Sequence, residues 1–351
     1  MKVSAVAFSA AFVLACAGGE ELPRPPGCAD AAACSLTEAA RTAGITVGVA
    51  AAPGDPAVEA LVTRDFGALS LEGELLWERV HPERERWDFE AADRTLAFAE
   101  EHHLVTTATH FVWDQAVPIS STPEWVKAIT DPAELRAVMH EHLRALSRRY
   151  GARITRWNVV NEPHRYFDDT LYPNHFLRVL GPDYIAEAFT IAAEEAPRSE
   201  RWLNEILTEY EPRKADALVR LAEDLVRRGV PIDGVSLQGH LFLGDAEWDV
   251  VADTLRRLSE LGLATGFSEV DVPMLPFAAD RLERQADRTV KLIDACLAAP
   301  RCSSITWWGV NDGASWLNWF LAPGLEPLLF DDALAPKPAY FAAKERLLAG
   351  R

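Results

Sequence analysis

Short apolar, β-prone runs alternate with longer helical stretches from Thr37 to the end of the chain. Strands are predicted near residues 46–50, 66–69, 104–110, 154–161, 201–206, 234–238, 264–270 and 304–310. The helices between them carry their own signals. Asp131-Pro132-Ala133-Glu134 offers an N-cap, a proline in the first turn and a glutamate placed to reach back. Leu135, Val138, Met139, Leu143 and Leu146 then repeat at helical spacing, and Gly151 closes the segment. Leu218, Leu221 and Leu225 do the same before Gly229, and Leu282, Val290, Ile293 and Leu297 before Pro300. Eight strands alternating with helices imply an α/β fold with a parallel sheet closed into a single (β/α)8 TIM barrel. An open doubly wound sheet is the rival. It normally carries a glycine-rich first turn, which is not visible here.

The chain's 351 residues hold one such barrel, which takes about 250, together with a leader. The formal charge of −18 leaves no basic face for nucleic acid. Lys2 precedes an apolar run of signal-peptide length over residues 3–15. Val13-Leu14-Ala15-Cys16 resembles the bacterial lipoprotein cleavage box, with Cys16 as the lipidated residue. Ordinary cleavage near Ala17 is the alternative. The expected organisation is an export signal over 1–16, a flexible tether over 17–36 and a catalytic domain over 37–351. The location expected is the outer membrane or cell surface as a lipoprotein, or otherwise secretion. Cys28, Cys34, Cys296 and Cys302 allow three pairings. Local pairing, Cys28 with Cys34 and Cys296 with Cys302, is expected because both spacings are short and an exported chain meets an oxidising compartment. No CxxC spacing or His cluster points to zinc, and no metal or cofactor is expected. The chain is expected to act as a monomer.

Two glutamates stand out. One closes Trp157-Asn158-Val159-Val160-Asn161-Glu162-Pro163, and the other sits in Gly266-Phe267-Ser268-Glu269-Val270-Asp271-Val272. Each ends a predicted strand, so a barrel would bring both to one rim. Two facing carboxyl groups suffice to cleave a glycosidic bond, and a retaining pair stands about 5–5.5 Å apart. One must keep its proton near neutral pH, and Trp157, Val159 and Val160 would supply an apolar setting for Glu162. His240 follows the sixth predicted strand. It could donate to Glu269 while Asp271 holds it in place. Tryptophans also gather late, at Trp307, Trp308 and Trp316; indole faces stack on sugar rings, while Trp307 is expected to pack in the core.

These pieces together resemble glycoside hydrolase family 10, the xylanase family of retaining barrels, over most of residues 45–345. Trp157 to Glu162 is similar to that family's W-D-V-V-N-E, and Ser268-Glu269-Val270-Asp271 to its T-E-L-D. Leu237-Gln238-Gly239-His240-Leu241 matches F-Q-x-H-L. Trp307-Trp308-Gly309-Val310 and Ala314-Ser315-Trp316 match V-W-G-V and D-S-W. Leu329-Phe330-Asp331 and Pro336-Lys337-Pro338-Ala339-Tyr340 match L-F-D and P-K-P-A-Y. The resemblance implies Glu162 as acid/base and Glu269 as nucleophile. It implies that Asn161, Gln238, His240, Trp308 and Trp316 shape the subsite of the cleaved sugar, with Glu72 and Trp113 nearby. It also places Cys296 and Cys302 where many members carry a disulfide.

The departures from that pattern are local. E-N-E-M-K-W appears as Glu72-Gly73-Glu74-Leu75-Leu76-Trp77, so an asparagine and a lysine that grip the next glycone sugar become Gly73 and Leu76. H-T-L-V-W appears as Thr109-His110-Phe111-Val112-Trp113, with the histidine one place late and a longer loop after Trp113. The reading is a retaining endo-acting β-glycosidase on xylan or a related plant polysaccharide. The alternatives are a glycosidase of the same clan acting on another β-glycan, and a non-catalytic glycan-binding lipoprotein.

Overall fold

The computed structural model describes residues 28, 34–115, 121–274 and 278–350. The cleavage box, Cys16 and most of the tether lie outside the described residues. Eight strands form one closed parallel barrel in chain order: β1 (Thr46–Ala50), β2 (Ala68–Leu71), β3 (Val105–Ala108), β4 (Arg156–Asn161), β5 (Glu200–Glu205), β6 (Gly234–Leu237), β7 (Ala264–Val270) and β8 (Cys302–Trp307). Closure comes from β8 pairing back onto β1, with Thr46 opposite Ser304 and Val49 opposite Trp307. The predicted eight-stranded barrel is therefore the observed one. Helices pack their apolar faces on its outside, and Leu143, Leu218 and Leu292 are fully buried there.

The differences from the predicted elements have physical causes. β2 begins at Ala68 instead of Phe66, because the Phe66 amide still donates to Val62 O and ends the helix Pro56–Asp65. β8 stops at Trp307, and the chain leaves the sheet through Gly309 at φ +137°, with Trp308 turned to line the cleft. Asp131 does cap the helix Pro132–Tyr150 through the Glu134 amide. The Glu134 carboxylate does not reach back, however, and pairs with Arg84 at 3.1 Å. The helix Leu36–Thr42 opens on a capping box between Ser35 and Glu38. Cys28 is bonded to Cys34 and Cys296 to Cys302, with Cα separations of 5.1 and 5.3 Å. Among the described residues no helix is long and apolar enough to cross a membrane.

Small and large side chains interlock on the barrel floor. The Arg156 guanidinium on β4 lies 3.7 Å over the Trp202 ring on β5 and reaches Ser304 on β8 at 3.0 Å. Trp202 pairs in register with Gly234 on β6, and a Cβ at that glycine would stand 2.5 Å from the indole. Only glycine admits the ring there. Gly234→Ala should cost about 1–3 kcal/mol by overpacking. Chemical denaturation checks this, and unchanged stability would mean the Trp202 ring is free to move.

Candidate active site

All the chemistry sits where strands end, on the C-terminal face of the barrel. Glu162 directly follows β4, and Glu269 is the penultimate residue of β7. The register slips on both glutamate-bearing strands, between Asn158 and Val160 and between Phe267 and Val270. Such irregularities re-aim side chains at barrel rims. Glu162 also adopts φ +49°, a region that non-glycine residues seldom occupy. Its amide is held by Asn204 O at 2.9 Å.

A short hydrogen-bonded bridge joins the two glutamates. Glu162 Oε1 accepts from Asn161 Nδ2 at 3.2 Å and from Gln238 Nε2 at 3.0 Å. Asn204 Nδ2 donates to Asn161 Oδ1 at 2.8 Å and to Glu269 Oε1 at 2.6 Å. Asn204 Oδ1 accepts from Ser236 and Ser268, each at 2.6 Å. Both ends of the Asn204 amide are thereby saturated, which fixes its orientation. On the far side, Glu269 Oε2 faces His240 Nε2 at 3.3 Å. His240 Nδ1 lies 2.8 Å from Asp271 Oδ2, which also accepts from Trp316 Nε1 at 2.8 Å. His240 thus stands between Glu269 and Asp271, in contact with both.

Burial separates the charge states. Glu162 is 5% exposed, and desolvation pushes its carboxyl up from 4.5 to about 7. Gln238 opposes that rise, while the charges of Glu205 and Glu269 add to it. Burial disfavours a charged His240, but Asp271 and Glu269 outweigh it and hold the imidazolium up to about 10. His110 lacks such partners, and burial brings it down to about 4. Glu72 stands open at the cleft mouth. Partial loss of hydration against the cleft walls, with Glu74 and Glu269 nearby, pushes its carboxyl upward.

Every cleft residue named from sequence, from Glu72 and Trp113 to Trp308 and Trp316, lines one cavity with Glu162 and Glu269. Asp271 lies behind it. Three further residues join: His110, Ile206 and Trp319. The late histidine still reaches the cavity. Thr109 turns its hydroxyl back to the Leu71 and Glu72 carbonyls, and His110 takes the place facing the cavity. A larger hollow beside Arg136 and Glu187 is walled by surface charges, several paired with each other, and is remote from these carboxylates. Among the described residues no group of three or more His, Cys, Asp or Glu side chains could hold a metal ion.

A family model, glycosyl hydrolase family 10, matches residues 35–346. The chain belongs to that family. Endo-1,4-beta-xylanase B of Thermotoga neapolitana is 30% identical over 286 residues, spanning 80% of this chain and 81% of the relative. Native xylanase 10B from Thermotoga maritima superposes with a TM-score of 0.82 at 30% identity, over 89% of this chain and 98% of that one. Xylanase 10B from Thermotoga petrophila RKU-1, solved in complex with xylobiose, gives 0.83 at 30% identity, over 89% and 97%.

Within this family 10 barrel, a second buried cluster backs the Glu162 side. Glu205, at the end of β5, is fully buried between Lys214 Nζ at 2.9 Å and His164 Nδ1 at 2.8 Å. Burial alone would raise Glu205, but Lys214 and His164 outweigh it and keep it below its ordinary value. Sequence reading missed Asn204, Glu205 and Lys214. The available signal was two polar residues, Asn204 and Glu205, ending an apolar strand run.

A carboxyl raised in the folded state loses stability as pH climbs from its unfolded value through its folded one. Glu162→Gln keeps the shape and removes that charge. Its melting temperature should exceed the parent's by more at about pH 8 than at about pH 5. Equal gains at both would mean Glu162 is not protonated preferentially in the fold.

Proposed function

We propose that this chain hydrolyses internal β-1,4 linkages of xylan or a close plant polysaccharide with retention of anomeric configuration. Glu162 is the acid/base and Glu269 the nucleophile. The observation that carries the reading is the bridge through Asn161 and Asn204, which ties a carboxyl raised to about 7 to a second one held by donors alone. In the first step Glu162 gives its proton to the glycosidic oxygen while Glu269 forms a bond to the anomeric carbon. The aglycone leaves with that proton. In the second step the Glu162 carboxylate takes a proton from water, whose oxygen displaces Glu269. His240, positively charged and fixed by Asp271, holds the nucleophile in line. Asn161, Gln238, Trp308 and Trp316 hold the cleaved sugar, with Glu72 and Trp113 next to it. The names of the relatives support xylan as the substrate.

Export with a lipid on Cys16 is part of the same reading, and the enzyme is taken to act as a monomer. The two disulfides and the apolar leader support export.

The departures at Gly73 and Leu76, next to the cleft residue Glu72 in the chain, support a second, finer reading. Leu76 is buried at 2% exposure, and the Arg79 guanidinium lies 3.6–3.7 Å from where a Gly73 Cβ would stand. A leucine cannot donate to a sugar hydroxyl. The enzyme is therefore weaker on linear xylan than a relative bearing lysine and asparagine there, or it prefers a glycan with another group at that position. Restoring Asn at 73 and Lys at 76 should raise kcat/KM on linear xylo-oligosaccharides by about 10-fold or more. A fast parent slowed by the double replacement would refute it.

Two measurements test the main reading. Product analysis on xylan should show oligosaccharides with retained configuration, abolished by Glu269→Ala. Inverted products, or full activity in that variant, would reject the roles. Because the protonated acid is the active form, kcat/KM should fall as pH rises through about 7. A basic limb in the ordinary carboxylate range would contradict the assignment.

A further inference from the structure

Trp319 is 62% exposed, yet it lines the cavity that holds Glu162 and Glu269. An indole left this open on a rim is unusual for a residue that packing normally buries. Its position is built. Trp316 opens the short helix Leu317–Phe320 and is anchored by its indole N–H on Asp271. Trp319 then meets Trp316 edge-on at 6.2 Å and Phe320 at 6.1 Å. Phe320 itself stacks on Trp316 at 4.8 Å. The Trp316 and Phe320 rings thus hold the Trp319 indole from within the protein, and much of its surface stays in water.

From this we infer that Trp319 is a sugar-stacking platform, a binding subsite outside the one that holds the cleaved sugar. The occupant is a further pyranose ring of the same glycan chain, laid C–H face down on the indole as the chain leaves the cleft. Continuity with the catalytic cavity selects this occupant. The cavity is small, about 80 Å³, so a chain that threads it emerges onto its walls. An aromatic face suits an apolar sugar face and needs no charge. Trp319 is a specificity residue that acts on long chains, and it takes no part in bond cleavage.

The inference rests on the proposed glycanase reading and is tested apart from it. Linear xylo-oligosaccharides of increasing length are hydrolysed by the parent, Trp319→Ala and Trp319→Phe. Trp319→Ala should lose about 3- to 10-fold in kcat/KM on the longest chains, through KM. The loss should shrink steadily as the chain shortens, and Trp319→Phe should recover most of it. Binding of the same series to the Glu269→Ala protein should show the same length dependence. An equal loss at every length, or no loss at any, overturns the platform. So does loss of self-association with unchanged kinetics, which would make the exposed ring a protein contact. If the parent cleaves a different β-glycan, the substrate reading falls. The same length series on that glycan then decides the platform.

Discussion

Everything at this site depends on burying Glu162 beside other acidic groups without letting it ionise freely. A carboxylate taken out of water is unstable unless it is paired or protonated. Glu162 has no cation of its own. Its donors are two neutral amides, from Asn161 and Gln238, and its second oxygen has no protein partner among the described residues. Protonation is the remaining answer. Glu269 is treated oppositely, facing Asn204 on one oxygen and a charged histidine on the other. Two chemically identical side chains are thus set different tasks by their partners.

That division needs the closed barrel. The bridge runs from β4 through β5 to β7, and its supports come from Ser236 on β6 and Gln238 directly after it. A single strand displaced by one residue would turn these side chains to the other face. The floor below, where Gly234 admits Trp202 and Trp202 carries Arg156, locks the same strands together. Packing at the bottom of β4, β5 and β6 therefore sets the proton arrangement at the top. The cluster of Glu205, Lys214 and His164 extends this control outward. It places a neutralised acid behind Glu162, and the Glu205 charge still adds to the rise of Glu162.

The barrel was legible because each strand is a short apolar run between segments of helical period, and β1 and β7 fall on their predicted residues. The two glutamates were legible because each closes such a run. His240 and Asp271 could be paired because they flank Glu269 at neighbouring strand ends. Asn204 could not, since its partners Asn161 and Glu269 are 43 and 65 residues away and its place at a strand end does not name them. His110 was displaced by one position relative to the family pattern. Only the turn of Thr109 back toward the Leu71 and Glu72 carbonyls shows that the ring still faces the cavity. Trp319 was hidden within a run of aromatics, because exposure is a property of the fold and composition does not reveal it.

The most direct test of this account is the titration of the Glu162 carboxyl itself, followed by carbon-13 NMR on glutamate-labelled protein and assigned with Glu162→Gln. The account predicts a midpoint at about 7, moving down when Glu269 is replaced by Gln and its charge removed. A midpoint in the ordinary carboxylate range near 4.5, or one that Glu269→Gln leaves unmoved, would contradict it.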